Sequence, residues 1–229
     1  MNPDNQHRRS IRSYVRREGR ITPAQQAALI SHLGNFGVNF SNEILDLEKL
    51  FGRYAPTILD IGCGTGDTTI ELAKAHPENN YLAVEVHRPG IGNLLKEIVK
   101  HGLFNIRVIN HDIFEVIEYQ VQTNCLEQIL ILFPDPWPKK RHHKRRLITP
   151  PFLDLLITRL RQNARLFIAT DWQDYADQIL DVCDSDNRLT NLAGKGHAAP
   201  RPYWRKHTRF EQRGLRLKHE VWDFVYALK

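Results

Sequence analysis

Short apolar runs alternate with segments of helical spacing along most of the chain. The apolar runs predict buried strands at residues 57–61, 81–86, 106–110, 126–133 and 165–170. The segments of helical spacing predict helices at residues 23–33, 67–77, 90–102, 151–160 and 175–184. Residues 217–228 have a strand-like composition, whereas 187–202 are rich in Gly, Pro, Asn and Ala and predict a flexible loop. This alternation indicates an α/β fold with a doubly wound, mostly parallel sheet.

Length and composition refine this prediction. With 229 residues, of which 41% are apolar and 25% charged, we expect a single domain over residues 1–229, with a basic arm at 1–20 before the core at 21–229. No apolar stretch is long enough for a membrane span, and the first twenty residues do not resemble a secretory signal. Three cysteines without a C-x-x-C pair predict free thiols in a reducing cytoplasm, and no histidine spacing suggests a metal.

The positive charge is concentrated in three segments. Residues 8–20 carry six Arg and one Glu, residues 139–146 six Lys or Arg and no acid, and residues 201–218 seven Lys or Arg and one Glu. The net charge of the whole chain is only +6, so the remainder is acidic. One such segment is commonly a solvated face, but three on an acidic body favour a polyanionic partner such as RNA.

An acidic residue stands at or just beyond the end of four predicted strands. These residues are Asp60, Glu85, Asp112 and Asp135. Ligands of doubly wound sheets bind beyond the carboxyl ends of the strands. A single acid there could cap a helix or pair with an arginine, but four in successive units indicate a ligand rich in hydrogen-bond donors.

A glycine-rich turn follows the first of these strands and contains Gly62, Gly64 and Gly66. Glycine lets the backbone turn tightly and approach a ligand closely. A dinucleotide fingerprint would require a third glycine where Asp67 stands, and an acid there would repel a pyrophosphate. Together with Glu85 and Asp112, the turn favours S-adenosylmethionine over a nicotinamide cofactor and predicts the Rossmann-like fold of class I S-adenosylmethionine-dependent methyltransferases.

The four carboxylates can be matched to this cofactor. Glu85, 19 residues after Gly66, is placed to accept from the ribose hydroxyls. Asp112 is then placed for the adenine amino group, and Asp60 for the amino-acid end. Asp135, in the proline-rich segment 133–138, would lie beside the methyl group, although a rigid turn with a buried Trp is the alternative.

Three segments resemble the bacterial tRNA (guanine-N7-)-methyltransferases: FPDPWPKKRHHKRRL at 133–147, ATDWQDYA at 169–176 and HTRFEQRG at 207–214. The resemblance extends from about residue 8 to the C-terminus. It implies that the chain transfers a methyl group from S-adenosylmethionine to N7 of the guanosine numbered 46 in the variable loop of tRNA.

The resemblance also implies roles for individual residues. It implies cofactor contacts at Asp60, Glu85, Asp112 and Asp135, with Asp135 as the catalytic residue. The implied substrate contacts are Lys139, Asp171, Thr208, Arg209, Phe210 and Glu211, and the implied RNA contacts are Arg141, His142, His143, Lys144, Arg145 and Arg146. Asp171 and Glu211 could accept from the guanine N1–H and exocyclic amine, although Asp171 could instead cap a helix.

Two alternatives remain open from the sequence. Methyltransferases that act on exocyclic amines carry a D/N-P-P-Y/W loop, and the sequence DPW at 135–137 differs from it by one missing proline. A non-catalytic RNA-binding protein could also retain this fold. The sequence leaves open whether the protein is a monomer or a homodimer.

Overall fold

The computed structural model describes Ser13, residues 19–205, Glu211 and residues 220–229. Within this part of the chain, eight strands form one sheet. Their bounds are β1 Gly37–Val38, β2 Thr57–Ile61, β3 Asn80–Val84, β4 Ile106–Ile109, β5 Leu126–Leu132, β6 Leu160–Thr170, β7 Leu189–Asn191 and β8 Trp222–Leu228. The α-helices are α1 Pro23–Phe36, α2 Leu47–Phe51, α3 Asp67–Ala75, α4 Arg88–Lys100, α5 Ile113–Glu115, α6 Pro150–Ile157 and α7 Gln173–Asp184.

The strand order in the sheet is β1-β4-β3-β2-β5-β6-β8-β7. The six strands from β1 to β6 run parallel, and β8 is antiparallel to both β6 and β7. Apolar side chains cover both faces of the sheet, which explains why strands such as β2 and β3 are buried throughout. The predicted doubly wound, mostly parallel sheet is therefore confirmed.

The chain reverses its direction of winding between β2 and β5. From β2 it proceeds outward to β3 and β4, and it then returns to place β5 on the other side of β2. Because the loops after β2 and β5 diverge at such a switch point, a crevice opens at the carboxyl edge of the sheet. This crevice determines where the acidic strand ends can meet.

Several bounds differ from the sequence prediction. Strand β6 begins at residue 160 and not at 165, because the preceding helix already ends at Ile157. The predicted loop at 187–202 contains the short strand β7, which pairs with β8. Helix α1 begins as predicted, since Thr22 and Gln25 form a capping box. Residues 217–219 of the last predicted strand lie outside the described residues.

Two short helical segments complete the secondary structure of the described residues. Residues Val116–Gln120 form a π-helical turn after α5, and Lys140–Arg145 form a 3₁₀ helix between β5 and α6. None of the helices in the described part of the chain combines the length and apolar character that a bilayer crossing requires.

Candidate active site

A cleft of about 320 Å³ lies at the carboxyl edge, at the switch point between β2 and β5. Its walls come from the ends of four neighbouring parallel strands. The lining residues include Gly62 after β2, Glu85 after β3, His111 after β4 and Asp135 after β5. The predicted convergence of strand ends therefore occurs, and Glu85 and Asp135 line the same cleft.

The loop that carries Asp135 has an unusual backbone. Phe133 and Trp137, two residues before and after Asp135, both have left-handed conformations, with φ of 55° and 46°. Bulky residues rarely adopt this region, and such strain concentrates at functional sites. Each of these aromatic residues precedes a proline, which disfavours the right-handed helical conformation there. The loop therefore holds the exposed Asp135 in a fixed turn between β5 and the basic segment.

The Glu85 carboxylate organises the loops around the cleft. One oxygen accepts a 2.9 Å hydrogen bond from the Gly64 backbone N–H. The other accepts from the backbone N–H groups of Val86 and His87, at 2.7 and 2.8 Å. Glu85 thus ties the glycine-rich turn to the end of β3 while its side chain lines the cleft.

The three glycines of the turn have different surroundings. All have positive φ, which explains the residue type. Gly62 is exposed in the cleft wall, and the backbone N–H of Gly64 donates to the Glu85 carboxylate. Gly66 is buried, and a Cβ there would lie 2.4 Å from Leu94 of α4, so its lack of a side chain permits helix packing. Of the three glycines, Gly62 therefore lines the cleft, Gly64 is tied to Glu85, and Gly66 lies at a close packing contact with α4.

Asp60 lies behind the cleft wall. It is buried at the end of β2 and accepts a 2.5 Å hydrogen bond from the Thr69 hydroxyl of α3. Burial raises the pKa of Asp60 to about 6, against the opposing effect of the Thr69 hydrogen bond and with a smaller contribution from Glu85. The cleft lining includes its neighbours Ile61 and Gly62. Asp60 is thus close to the cleft but directed towards α3.

Asp112 caps a helix in this structure. One of its carboxylate oxygens accepts from the Phe114 backbone N–H at 3.0 Å, at the start of α5. Its neighbours on both sides, His111 and Ile113, line the cleft. Asp112 therefore lies next to the cleft, with one carboxylate oxygen engaged in the helix cap.

The basic segment follows directly from the Asp135 loop. Lys139, Arg141 and Lys144 are exposed, and Lys139 precedes the 3₁₀ helix. His142, His143 and Arg145 are half-buried. The guanidinium of Arg145 lies 4.9 Å from the Trp137 ring centroid, so this residue packs on the Asp135 loop while remaining partly accessible.

Arg146 does not belong to this exposed set. Its side chain is 1% exposed and forms an ion pair with Asp174 of α7. A group this deeply buried is not exposed to a phosphate, so the position of Arg146 does not support the predicted RNA contact. The sequence could not separate it from its neighbours, because burial depends on which side of the segment packs against α7.

The predicted substrate residues are only partly described. Asp171 is half-buried just after β6, and Phe133 binds β6 through a 2.8 Å hydrogen bond from its N–H to the Ala169 carbonyl. Trp172, and not Asp171, occupies the N-cap position of α7. Thr208, Arg209 and Phe210 lie outside the described residues.

Glu211 belongs to a buried ion-pair cluster that the sequence analysis missed. Arg205 donates to both oxygens of Asp223, at 2.6 and 2.7 Å, and to both oxygens of Glu211, at 2.8 and 3.2 Å. Arg201 also pairs with Glu211. Burial alone would raise the pKa of Glu211, but hydrogen bonds from Arg201 and Arg205 hold it below its ordinary value. Two cations of the basic segment 201–218 are therefore neutralised internally.

This cluster adjoins the candidate site. Asp223 pairs with Ala169 across β6 and β8, and the Arg205 guanidinium lies 5.4 Å from the Phe133 ring centroid. One signal in the sequence could have revealed it. Asp223 stands inside the otherwise apolar strand WDFVYAL, and a buried acid requires a partner.

Comparisons with known proteins identify the family. Residues 54–224 match the family model described as "Putative methyltransferase", which makes the chain a methyltransferase by class. A tRNA (guanine-N(7)-)-methyltransferase of Nitrosospira multiformis is 50% identical over 221 residues, covering 96% of each chain. A protein of the same name from Halorhodospira halophila is 49% identical over 222 residues, again covering 96% of each. The chain therefore belongs to the tRNA (guanine-N(7)-)-methyltransferase family, and the resemblance found in the sequence is confirmed.

Solved structures of RNA methyltransferases share the fold. The 16S rRNA methyltransferase KamB aligns with a TM-score of 0.57 at 16% identity, covering 82% of this chain and 95% of that one. An rRNA methylase from Streptococcus thermophilus aligns with a TM-score of 0.52 at 14% identity, covering 76% and 87%. At identities this low, the TM-scores above 0.5 show a common fold and nothing more. This fold is the Rossmann-like class I methyltransferase fold predicted from the sequence.

Proposed function

We propose that this protein transfers a methyl group from S-adenosylmethionine to N7 of a guanosine in tRNA, the variable-loop position 46. The observation that carries the proposal is the position of the constrained Asp135 loop, which lines the cleft and continues directly into the basic 3₁₀ helix Lys140–Arg145. Family membership supports the same reaction, since the two relatives described above are named for it.

The residues around the cleft fit this cofactor. A ribose diol and an adenine amino group donate hydrogen bonds, and the cleft edge offers the acceptors Glu85 and Asp112. Gly62 leaves its wall without a side chain, and the remaining lining is largely apolar, including Ile61, Val84 and Leu132. When bound, S-adenosylmethionine supplies an electrophilic methyl group on a sulfonium.

The chemistry demands little acid–base catalysis from the protein. Guanine N7 carries a lone pair and no proton, so no general base is needed to expose it. The protein must align the guanine with the methyl group, which is mainly a matter of positioning. The guanine ring becomes cationic during the transfer, and the Asp135 carboxylate at the cleft mouth would stabilise that charge.

Residues on neighbouring elements would hold the RNA. Asp171, which follows β6 beside the Phe133 loop, would accept from the Watson–Crick edge of guanine. Lys139, Arg141 and Lys144 are exposed next to the cleft and would neutralise phosphates. Glu211 is already bound by two arginines, so we assign it to holding the C-terminal segment in place and not to direct base recognition.

The proposal is tested with undermodified tRNA, methyl-labelled cofactor and nucleoside mass spectrometry. We expect 7-methylguanosine from the wild type and loss of most product from Asp135→Ala, with tRNA affinity near wild type. Asp181→Asn, which alters an exposed carboxylate on α7, serves as the control and should remain active. Label on an exocyclic amine would instead identify the alternative methyltransferase class, and wild-type turnover by Asp135→Ala would refute the catalytic assignment.

A further inference from the structure

The last arginine of the basic segment points into the protein. Arg141 and Lys144 are exposed, whereas the Arg146 side chain is 1% exposed. Burying a guanidinium is costly unless its hydrogen bonds and charge are compensated. Buried acceptors must therefore compensate the charge and the hydrogen-bond donors of Arg146.

All five N–H donors of the Arg146 guanidinium have an acceptor. Nε donates to the Pro136 carbonyl at 2.9 Å. Nη1 donates to the Gln178 side-chain oxygen at 2.8 Å and to the Asp174 carbonyl at 3.3 Å. Nη2 donates to the Asp174 carboxylate and to His143 Nε2, the latter at 3.2 Å. The side chain thus bridges the proline-rich loop, the 3₁₀ helix and α7.

The acceptors on α7 form a fixed platform. The Arg146 guanidinium lies 4.9 Å from the centroid of the Tyr175 ring, which is itself fully buried. The Tyr175 hydroxyl accepts from the Ile148 N–H at 3.0 Å, and Gln178 donates to the Ile148 carbonyl at 2.9 Å. Because these groups are held on both sides, Arg146 has one position relative to α7.

The remaining contact reaches the catalytic loop. The Pro136 carbonyl that Arg146 binds belongs to the residue directly after Asp135. Prolines 134, 136 and 138 deprive this loop of backbone donors, so side chains must hold it. We infer that Arg146 is a positioning residue for methyl transfer, which fixes Asp135 at the cleft by bonding the adjacent carbonyl. This inference rests on the proposed function.

Lysine cannot reproduce this bridge. Its ammonium has three donors at a single point, whereas the planar guanidinium reaches acceptors on opposite sides. In Arg146→Lys we therefore expect kcat to fall by roughly 10- to 100-fold, since misplacement of a reacting group by about 1 Å costs up to about 100-fold. The KM for tRNA and its salt dependence should stay near wild type, because Arg146 contacts no solvent.

Arg159→Lys provides a matched control. Arg159 is partly buried and donates from Nε to the Ile117 carbonyl at 3.0 Å, but it precedes β6 at the opposite edge of the sheet. Arg159→Lys also removes a guanidinium that binds a backbone carbonyl, but it should leave kcat near wild type. If kcat is retained in Arg146→Lys, or if it falls to the same extent in Arg159→Lys, the positioning role is wrong. A raised KM for tRNA with unchanged kcat would instead return Arg146 to RNA binding.

Two further measurements separate this inference from the proposed function. In an Asp135→Glu background, Arg146→Lys should cost much less than in the wild type, because both changes act on the same carboxylate. Additive losses would contradict the inference. Independently of any activity, amide hydrogen exchange in residues 133–139 should accelerate in Arg146→Lys and not in Arg159→Lys. A wild type inactive on tRNA would refute the proposed function, whereas unchanged exchange would refute the inference.

Discussion

Replacing Asp60 by Asn tests the buried carboxylate behind the cleft. Burial raises the Asp60 pKa from 3.8 to about 6, so the folded protein binds this proton more tightly than the unfolded chain does. The contribution of Asp60 to the stability of the folded protein is therefore fully present below about pH 4 and is lost as pH rises through about 6. A shift of about two pKa units corresponds to about 3 kcal/mol in the free energy of unfolding.

Asn has nearly the same shape as Asp, remains neutral and can still accept from the Thr69 hydroxyl. We expect the stability of Asp60→Asn relative to the wild type to rise between about pH 4 and about pH 6, and to stay higher by about 3 kcal/mol above that range. Urea unfolding at several pH values measures this difference, and effects of the other carboxylates cancel in the comparison. Asp181→Asn should show no such trend, because its carboxylate is exposed. A wild-type minus Asp60→Asn difference that is constant with pH would refute the reasoning.

The same pair of proteins reports on the cofactor. An ammonium group held near Asp60 would favour the carboxylate and lower its pKa. The affinity for S-adenosylhomocysteine should then increase as pH rises through about 6 in the wild type. In Asp60→Asn this increase should be absent. Parallel affinity profiles in the two proteins would assign Asp60 to supporting α3 and remove it from the cofactor contacts.

Two other changes test the remaining contacts. Glu85→Ala should weaken S-adenosylhomocysteine binding, measured by calorimetry, by more than about 1 kcal/mol, since a charged hydrogen-bond acceptor contributes about 1.5–3 kcal/mol; unchanged binding would exclude Glu85 from the ribose contact. Replacing Arg141, Lys144 and Arg145 together by Ala should weaken tRNA binding and reduce the slope of log affinity against log salt by about two to three units, with cofactor affinity unchanged. Parallel salt plots of equal height would show that the basic segment is not the RNA surface.

The amino-acid sequence by itself determined the fold class and the composition of the cleft edge. Strand β2 was predicted with its observed bounds, because a short apolar run ending at a glycine turn is a local signal. Glu85 and Asp135 could be predicted as neighbours because parallel strands bring their carboxyl ends to one edge. The family could also be predicted, since its motif is contiguous along residues 133–147.

The tertiary structure alone decided which residues of the same type are exposed and which are internal. Arg141 and Arg146 stand five positions apart in one basic run, yet Arg141 is exposed and Arg146 is buried against α7. Likewise Arg205 binds Asp223, 18 residues away, on a strand that pairs with β6. Charge and periodicity along a chain are local properties, whereas burial and ion pairing depend on elements that meet only after folding. The roles of these arginines therefore follow from packing.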